Sequence, residues 1–280
     1  MSKASFPCLP AMSWLQKGVL AAASLLVVTA AQSLAAPLAY EGFDYAAGTD
    51  VNGSNGGNGW ANAWNNDAPG QWDNTSGSLT YGSLPTSGGK ATLTANNASP
   101  EIQRTLSNPP LQNNAAAGSL WISWIHDSTA AGQFNQLRLQ DTAGNRVAVI
   151  GAHAVAPGSQ TWRLYNGAFA SPVDSGIAMT GSQFVVVGID LATDTYQLYI
   201  NPTLGETAPA MASATATYAD TDTLNTLRYV IHSTTVAGDP GFDEIRVGTT
   251  FASVAAVPEP ATIGLAATAG LLALRRRRAR

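Results

Sequence analysis

Short apolar runs alternate with clusters of Gly, Asn, Pro and Asp through residues 36–256. The runs are rich in Val, Ile, Tyr, Trp and Thr, and this spacing of strand-forming and turn-forming residues is typical of a β-sandwich. No stretch sustains the 3.6-residue period of an amphipathic helix, and the segment contains no internal repeat. The pattern therefore predicts an all-β, antiparallel fold.

Individual runs predict how neighbouring strands pair. The segment GSLWISWIHD (118–127) places three apolar side chains on one face. Together with segments 133–140 and 146–152 it predicts an antiparallel meander of three strands. The segment QFVVVGIDL (183–191) is apolar on both faces, so it predicts a strand in the middle of a sheet. The segment TYQLYIN (195–201) follows a short turn and predicts a hairpin with that strand. The three side chains that share a face in the first segment are Leu120, Ile122 and Trp124.

The N-terminal segment has the layout of a secretory signal peptide. Lys3 and Lys17 precede the apolar stretch GVLAAASLLVVTAA (18–31), and a small-residue pattern ends at Ala35. We place cleavage after Ala35, which makes residues 1–35 the signal and the Sec export machinery its partner. The only cysteine, Cys8, leaves with the signal, so the mature protein is predicted to have no disulfide.

A second apolar stretch lies near the C-terminus. Residues 261–274 carry no charge, and as a helix they would reach about 21 Å. That is shorter than the roughly 30 Å hydrocarbon core of a bilayer, so the stretch predicts a short transmembrane helix that serves as a temporary anchor. The basic residues outside both apolar stretches place both ends of the chain in the cytoplasm and the segment between them outside.

The order of features in residues 257–280 is specific. A Pro-Glu-Pro triplet, a short apolar helix and an arginine cluster resemble the PEP-CTERM sorting signal of Gram-negative bacteria. The resemblance implies that a membrane-embedded exosortase recognises this tail and cuts near the triplet, which releases the body to the cell surface or extracellular matrix. The residues that carry this sorting prediction are Pro258, Glu259, Pro260, Arg275, Arg276, Arg277 and Arg278.

Composition limits the partners of the segment between the two signals, residues 36–256, which we call the body. All eighteen acidic residues lie in 36–260 with seven of the fourteen basic ones, so the formal charge of this segment is 7 − 18 = −11. Such a charge disfavours nucleic acid as a partner. Six tryptophans remain after the loss of Trp14 with the signal, and they supply material for a buried core.

Three segments carry a second resemblance. YEGFDYAAGTDVNGSNGGNGWANAW (40–64), DTYQLYINPTLG (194–205) and GFDEIRVGTTFASV (241–254) resemble concanavalin A-like, or laminin G-like, jelly-roll domains. The resemblance implies an antiparallel jelly-roll sandwich over residues 36–256, with the first and last strands side by side. Many such domains bind glycans and some hold calcium.

The sequence offers little support for a cofactor or a metal site. The loop NGSNGGNG (52–59) lacks the lysine of a phosphate-binding loop, and Ala61 stands where a calcium-binding repeat would need aspartate. His126, His153 and His232 lack metal-ligand spacing. We therefore predict no metal or cofactor, with calcium left open by the resemblance alone.

Carboxylates are the remaining candidates for catalysis. Some glucanases of this fold project an acid and a nucleophile from one strand face about 5 Å apart. Asp243 and Glu244 are adjacent, so alternation predicts that they face opposite ways and fail this geometry. We interpret Asp243 as a hydrogen-bonded residue that fixes the terminal strand, and we predict that the protein is not an enzyme.

Aromatic side chains are the candidates for glycan binding. Trp60 and Trp64 belong to the segment 40–64, which we call the opening motif, and are predicted to fill the core. Trp72 lies among polar residues and is predicted to face solvent. Trp162 and Tyr165 lie three apart on a predicted strand, so at most one of them can join a surface platform.

These observations favour a non-catalytic surface or matrix protein that associates with exopolysaccharide. Two alternatives remain open: a glycoside hydrolase with an unrecognised site, and an ice- or surface-adsorbing protein. The second alternative depends on possible threonine rows at Thr215, Thr217, Thr221 and Thr223.

Overall fold

The computed structural model describes most of the segment between the predicted signal peptide and the predicted sorting signal. Ala35, the predicted C-terminal helix and the sorting residues 257–280 lie outside the described residues. No helix in the described part is long and apolar enough to cross a membrane. The described residues are 36–66, 70–94, 100–107, 118–128, 134–153, 160–205, 207–218, 224, 226–232 and 240–255.

Fifteen strands and one short helix make up the secondary structure of these residues. In chain order they are β1 (Ala39–Glu41), β2 (Asn65–Asn66), β3 (Trp72–Ser76), β4 (Gly89–Leu93), β5 (Glu101–Thr105), β6 (Ser119–Ser128), β7 (Phe134–Gln140), β8 (Arg146–Gly151), β9 (Thr161–Asn166), β10 (Val173–Ala178), β11 (Gly181–Asp190), β12 (Thr195–Ile200), β13 (Ala214–Thr217), β14 (Thr226–His232), β15 (Gly241–Gly248) and α1 (Phe251–Ala255).

The strands form two antiparallel sheets, which confirms the prediction of an all-β antiparallel sandwich. The first sheet has eight strands in the order β13-β12-β11-β6-β15-β4-β3, with β1 also paired to β15. The second sheet has seven strands in the order β10-β9-β8-β7-β14-β5-β2. Apolar residues of both sheets meet in one buried cluster, which is the core of the sandwich.

The first and last strands lie side by side, as the sequence resemblance implied. Ala39 is opposite Val247 and Glu41 is opposite Ile245. The predicted hairpin is also present, because β11 pairs with β12 from Val185 opposite Ile200 to Asp190 opposite Thr195. The central position predicted for the doubly apolar strand is confirmed, since β11 lies between β12 and β6.

The predicted three-strand meander is only partly present. Strands β7 and β8 pair as a hairpin, but β6 lies in the other sheet between β11 and β15. The physical reason is that β6 is apolar on both faces: Ile122 and Trp124 join the core, and Ile125 joins a second buried cluster on the opposite side. Helix α1 covers that opposite side with Phe251 and neighbouring residues. A strand at the centre of the first sheet is therefore buried on both faces.

Candidate functional site

The second sheet turns apolar residues to the core and polar residues away from it. Along β7, Leu137 and Leu139 belong to the core cluster, and the alternate residues point to the other face of the strand. Ile102 of β5 and Leu227 of β14 are likewise core residues, and β5 also turns the buried Arg104 inward. We call the resulting outer surface the polar face, and it consists of Glu101, Gln103, Gln136, Arg138, Gln140, Arg146 and Arg228.

Two arginines stand opposite each other on the polar face. Strand register pairs Arg138 with Arg228, an arrangement that is destabilising for like charges unless an anion intervenes. Glu101 supplies that anion, because its Oε1 lies 2.8 Å from Nη1 of Arg138 and its Oε2 lies 2.8 Å from Nη1 of Arg228. One carboxylate therefore holds two guanidinium groups side by side.

Glutamines fix the orientation of these arginines. Nε of Arg228 donates to Oε1 of Gln103 at 2.8 Å, and Nε of Arg138 donates to Oε1 of Gln136 at 3.2 Å. Gln136 in turn donates through Nε2 to the carbonyl oxygen of Ala152 at 2.8 Å. Five side chains of the polar face thus form a connected hydrogen-bond network: Glu101, Gln103, Gln136, Arg138 and Arg228.

A third arginine is held at the border of the polar face by an aromatic ring. The guanidinium carbon of Arg146 lies over the ring of Phe169, 4.4 Å from its centroid, and Nε donates to the carbonyl oxygen of Gly167 at 3.0 Å. His153 also stacks on Phe169, with centroids 3.8 Å apart. The ring is therefore engaged by the protein's own side chains and orients Arg146.

The backbone at Phe169 is strained. Its φ of 60° lies in the left-handed region, which is unusual for a bulky residue that is not glycine. Ser171, in the same loop between β9 and β10, has a φ of 51°. Strain of this kind persists where the surroundings fix a residue in place, and functional sites are a common location.

Two neighbouring cavities open on the polar face. The larger has a volume of about 480 Å³ and is lined by Arg138, Arg146 and Arg228 together with Gln140 and Asn145. The smaller has a volume of about 370 Å³ and shares Gln140 and Arg228 with the larger. The two cavities adjoin, and their walls consist mainly of hydrogen-bond donors and acceptors.

Titration in this region reflects burial and positive charge. Burial lowers the pKa of Arg138, the neighbouring arginines lower it further, and Glu101 opposes them. Burial also lowers the pKa of His153, and the charges of Arg138 and Arg146 act in the same direction. His153 is consequently neutral at pH 7 while it stacks on Phe169.

The structure corrects the prediction that Trp72, Trp162 or Tyr165 forms an exposed glycan platform. Their exposed fractions are 0%, 1% and 3%, so none offers a face to a ligand. Trp72 packs edge-on against Phe242 with centroids 5.3 Å apart, because alternation along β3 turns it into the core and its polar neighbours outward. The prediction that Trp64 fills the core is confirmed, and Trp60 is partly buried against it.

Trp162 and Tyr165 lie on opposite faces of β9, as predicted, yet both are covered. Trp162 is a core residue whose indole N–H donates to Oε1 of Gln183 at 2.8 Å. Tyr165 points to the outer side, where its hydroxyl contacts the backbone of His153 and its ring contacts Phe169. The loops beside the polar face therefore bury the aromatic residue that alternation alone would leave exposed.

The prediction that Asp243 and Glu244 face opposite ways is wrong. The register of β15 against β6 shifts between Asp243 and Arg246, and Glu244 has a left-handed φ of 55°. This bulge turns both carboxylates toward one hydroxyl, so that Oγ of Ser78 lies 2.5 Å from Oδ2 of Asp243 and 3.2 Å from Oε1 of Glu244.

These two carboxylates are structural groups in their surroundings. Both residues are fully buried. Asp243 accepts from the backbone N–H of Leu79 at 2.8 Å, and Glu244 accepts from the backbone N–H of Ser87 at 2.7 Å and from Arg246 at 2.5 Å. They therefore tie the 78–87 segment to the terminal strand, in agreement with the interpretation of Asp243 as a residue that fixes that strand.

Metal binding finds no support in the part of the chain that the structure describes. No group of three or more His, Cys, Asp or Glu side chains there could hold a metal ion. His126 is fully buried, and burial lowers its pKa to about 3, so it is a neutral core residue.

Comparison with known proteins identifies the C-terminal segment. Residues 256–278 match the PEP-CTERM protein-sorting motif. The chain carries a PEP-CTERM sorting signal. This finding confirms the sequence interpretation of the Pro-Glu-Pro triplet, the apolar run and the arginine cluster. Comparison with curated proteins gave no match.

Solved structures are similar to this chain at low identity. Domain 4 of AbnA, an extracellular arabinanase of Geobacillus stearothermophilus in complex with arabinotriose, is 14% identical, with 79% of this chain and 97% of that chain covered and a TM-score of 0.41. The lectin UEA-II in complex with galactose is 9% identical, with 66% and 92% covered and a TM-score of 0.39. A GH131 β-glucanase catalytic domain from Podospora anserina is 13% identical, with 59% and 75% covered and a TM-score of 0.33. At these scores the similarities carry no argument.

Proposed function

We propose that this protein is an exported, exosortase-sorted protein of the bacterial cell surface or extracellular matrix that binds glycans without chemically altering them. Residues 1–35 direct Sec-dependent export, and the apolar run 261–274 holds the chain temporarily in the inner membrane. Exosortase then cuts near Glu259 and releases the body. The sorting signal in residues 256–278 supports this part of the proposal.

Glycan binding is assigned to the polar face. The observation that carries this assignment is the pair of adjoining cavities, whose polar side chains are already oriented by hydrogen bonds within the protein. A sugar chain presents hydroxyl groups that both donate and accept hydrogen bonds, and a preorganised site binds such a ligand with little loss of side-chain freedom. Hydrogen bonding thus replaces aromatic stacking as the basis of recognition.

The two alternative functions have weaker support. A glycoside hydrolase needs an acid and a base or nucleophile in contact with the substrate, whereas Asp243 and Glu244 are fully buried and bound to protein donors. Surface adsorption needs a regular array, and among the described residues β13 supplies Thr215 and Thr217 on a four-residue edge strand. Thr221 and Thr223 lie outside the described residues.

Gln140 provides the test because it lines both cavities. We expect Gln140→Ala to weaken retention of the exported protein on immobilised polysaccharides by about three- to tenfold, the effect of losing one hydrogen bond. The panel contains dextran, a mixed-linkage β-glucan, dextran sulfate and polygalacturonate. The matched control is Gln197→Ala on β12 of the other sheet. Failure of the unaltered protein to bind any of the four polymers would contradict the proposal.

A further inference from the structure

The polar face concentrates positive charge on a segment that is otherwise strongly acidic. Residues 36–260 contain seven basic and eighteen acidic residues. Three of the seven basic residues, Arg138, Arg146 and Arg228, line one cavity. The other four form ion pairs elsewhere: Arg104 with Glu41, Arg246 with Glu244, Arg163 with Asp174 and Lys90 with Asp127.

Two acidic groups lie near the cavity among the described residues. Glu101 is shared between Arg138 and Arg228. Asp141 lines the adjoining smaller cavity, and its Oδ1 accepts from the backbone N–H groups of Ala143 and Asn145 at the β7–β8 turn. Within the described residues, the walls of the larger cavity contain three guanidinium groups and no carboxylate.

The geometry of the arginines suits an anionic ligand. A guanidinium group presents a planar fork of donors that matches the oxygens of a carboxylate or sulfate. Arg146 is exposed, and its contacts with Phe169 and Gly167 hold it in one orientation. An arginine fixed in this way loses little conformational freedom when it binds, so the strained loop at Phe169 acquires a role in ligand recognition.

On the basis of the proposed function, we infer that the ligand of the polar face is an acidic polysaccharide, with its anionic groups bound in the larger cavity by Arg146 and Arg228 and its hydroxyl groups by Gln140 and Asn145. The anionic oxygens can belong to uronate carboxylates or to sulfate groups. Single-stranded DNA is the competing polyanion, and its binding is an outcome of the test. The positive cavity selects the ligand, and the acidic surface around it limits non-specific binding of polyanions.

Two matched pairs of polymers test this inference with the exported protein. Polygalacturonate is compared with its methyl ester, and dextran sulfate with dextran, so that each pair differs in charge but keeps the same backbone. We expect at least one acidic polymer to bind about tenfold more tightly than its neutral partner, with an affinity that falls as salt is added. Equal binding of charged and neutral partners would overturn the inference and leave the proposed function intact, whereas no binding to any polymer would overturn both.

Two arginine variants separate the cavity from overall charge. Arg146→Gln should weaken binding of the acidic polymer about tenfold, as expected for one charge-assisted contact. Arg163→Gln removes the same charge from the same sheet, but Arg163 is paired with Asp174 outside the cavity lining, so we expect less than a twofold change. Equal losses in the two variants, or tighter binding of single-stranded DNA than of either acidic polymer, would overturn the inference.

Discussion

At the scale of single residues, the bulge in β15 decides the role of Asp243 and Glu244. A regular strand would separate their side chains, but the left-handed φ of Glu244 turns both toward Ser78. Burial is the main cause that raises the pKa of Asp243 to about 8, and the neighbouring Glu244 carboxylate adds to it. Burial likewise raises the pKa of Glu244. Burial thus favours the protonated form of Asp243 inside the fold.

Asp243 should make the stability of the protein depend on pH. Its pKa is about 8 in the folded protein and about 3.9 in an unfolded chain, so the folded protein binds the extra proton between these values. The stabilisation is complete below about pH 4 and is lost as pH rises through about 8. Asp243→Asn should remove a slope of up to about 1.4 kcal/mol per pH unit in the free energy of unfolding, measured by urea denaturation from pH 5 to pH 8.

The matched control for this prediction is Asp174→Asn. Desolvation acts to raise the pKa of the Asp174 carboxyl, but hydrogen bonds from Gly176 and Thr161 and the charge of Arg163 outweigh it and hold the pKa below its usual range. Its titration therefore lies outside the window from pH 5 to pH 8. An unchanged slope in Asp243→Asn would show that Asp243 is not the group that titrates there.

At the scale of elements, an ion pair joins the two sheets. Glu41 lies on β1 of the first sheet, and its carboxylate contacts the guanidinium of Arg104 on β5 of the second. Both side chains are buried. Glu41 also accepts from the hydroxyl of Tyr45 at 2.8 Å and from the indole N–H of Trp64 at 3.1 Å. These contacts of Glu41 with Arg104, Tyr45 and Trp64 hold the two sheets together, and we call them the clamp.

Removal of the charge of Glu41 should weaken this clamp strongly. Glu41→Gln leaves Arg104 buried without its counter-charge, and breaking a buried pair in this way costs about 3–5 kcal/mol. We expect that loss in the free energy of unfolding, measured by urea denaturation at pH 7. The control, Asp174→Asn, breaks a partly exposed pair within one sheet and should cost no more than about 1 kcal/mol. Similar effects of the two substitutions would contradict the clamp.

Elements also show what the sequence can predict. Local patterns of strand-forming and turn-forming residues located β11 and β12, because such patterns depend only on neighbouring residues. They could not assign β6 to a sheet, since that choice depends on partners distant in sequence. The alternation of Leu137 and Leu139 with Arg138 can be seen in the sequence. That Arg138 lies opposite Arg228 cannot, because it depends on the register between β7 and β14.

At the scale of the whole molecule, charge is divided between regions with different tasks. The segment 36–260 has a formal charge of −11, whereas Arg275 to Arg278 concentrate positive charge in the sorting signal. The cluster follows an apolar run and marks the cytoplasmic end of the proposed anchor. The sandwich and the sorting signal are therefore expected to act in sequence: the signal delivers the protein, and the polar face then binds at the destination.

Sorting can be tested on the complete chain in its native host. Mass spectrometry should show that released protein lacks Arg275 to Arg280, because cleavage near Glu259 removes everything after it. Glu259→Ala should trap a longer, membrane-bound form, since it alters the Pro-Glu-Pro triplet inside the matched motif. Arg280→Ala is the matched control, because Arg280 lies beyond the motif, which ends at residue 278, and its loss should leave release unchanged. Released protein that still carries its arginine cluster would contradict cleavage and would require another route to the cell surface.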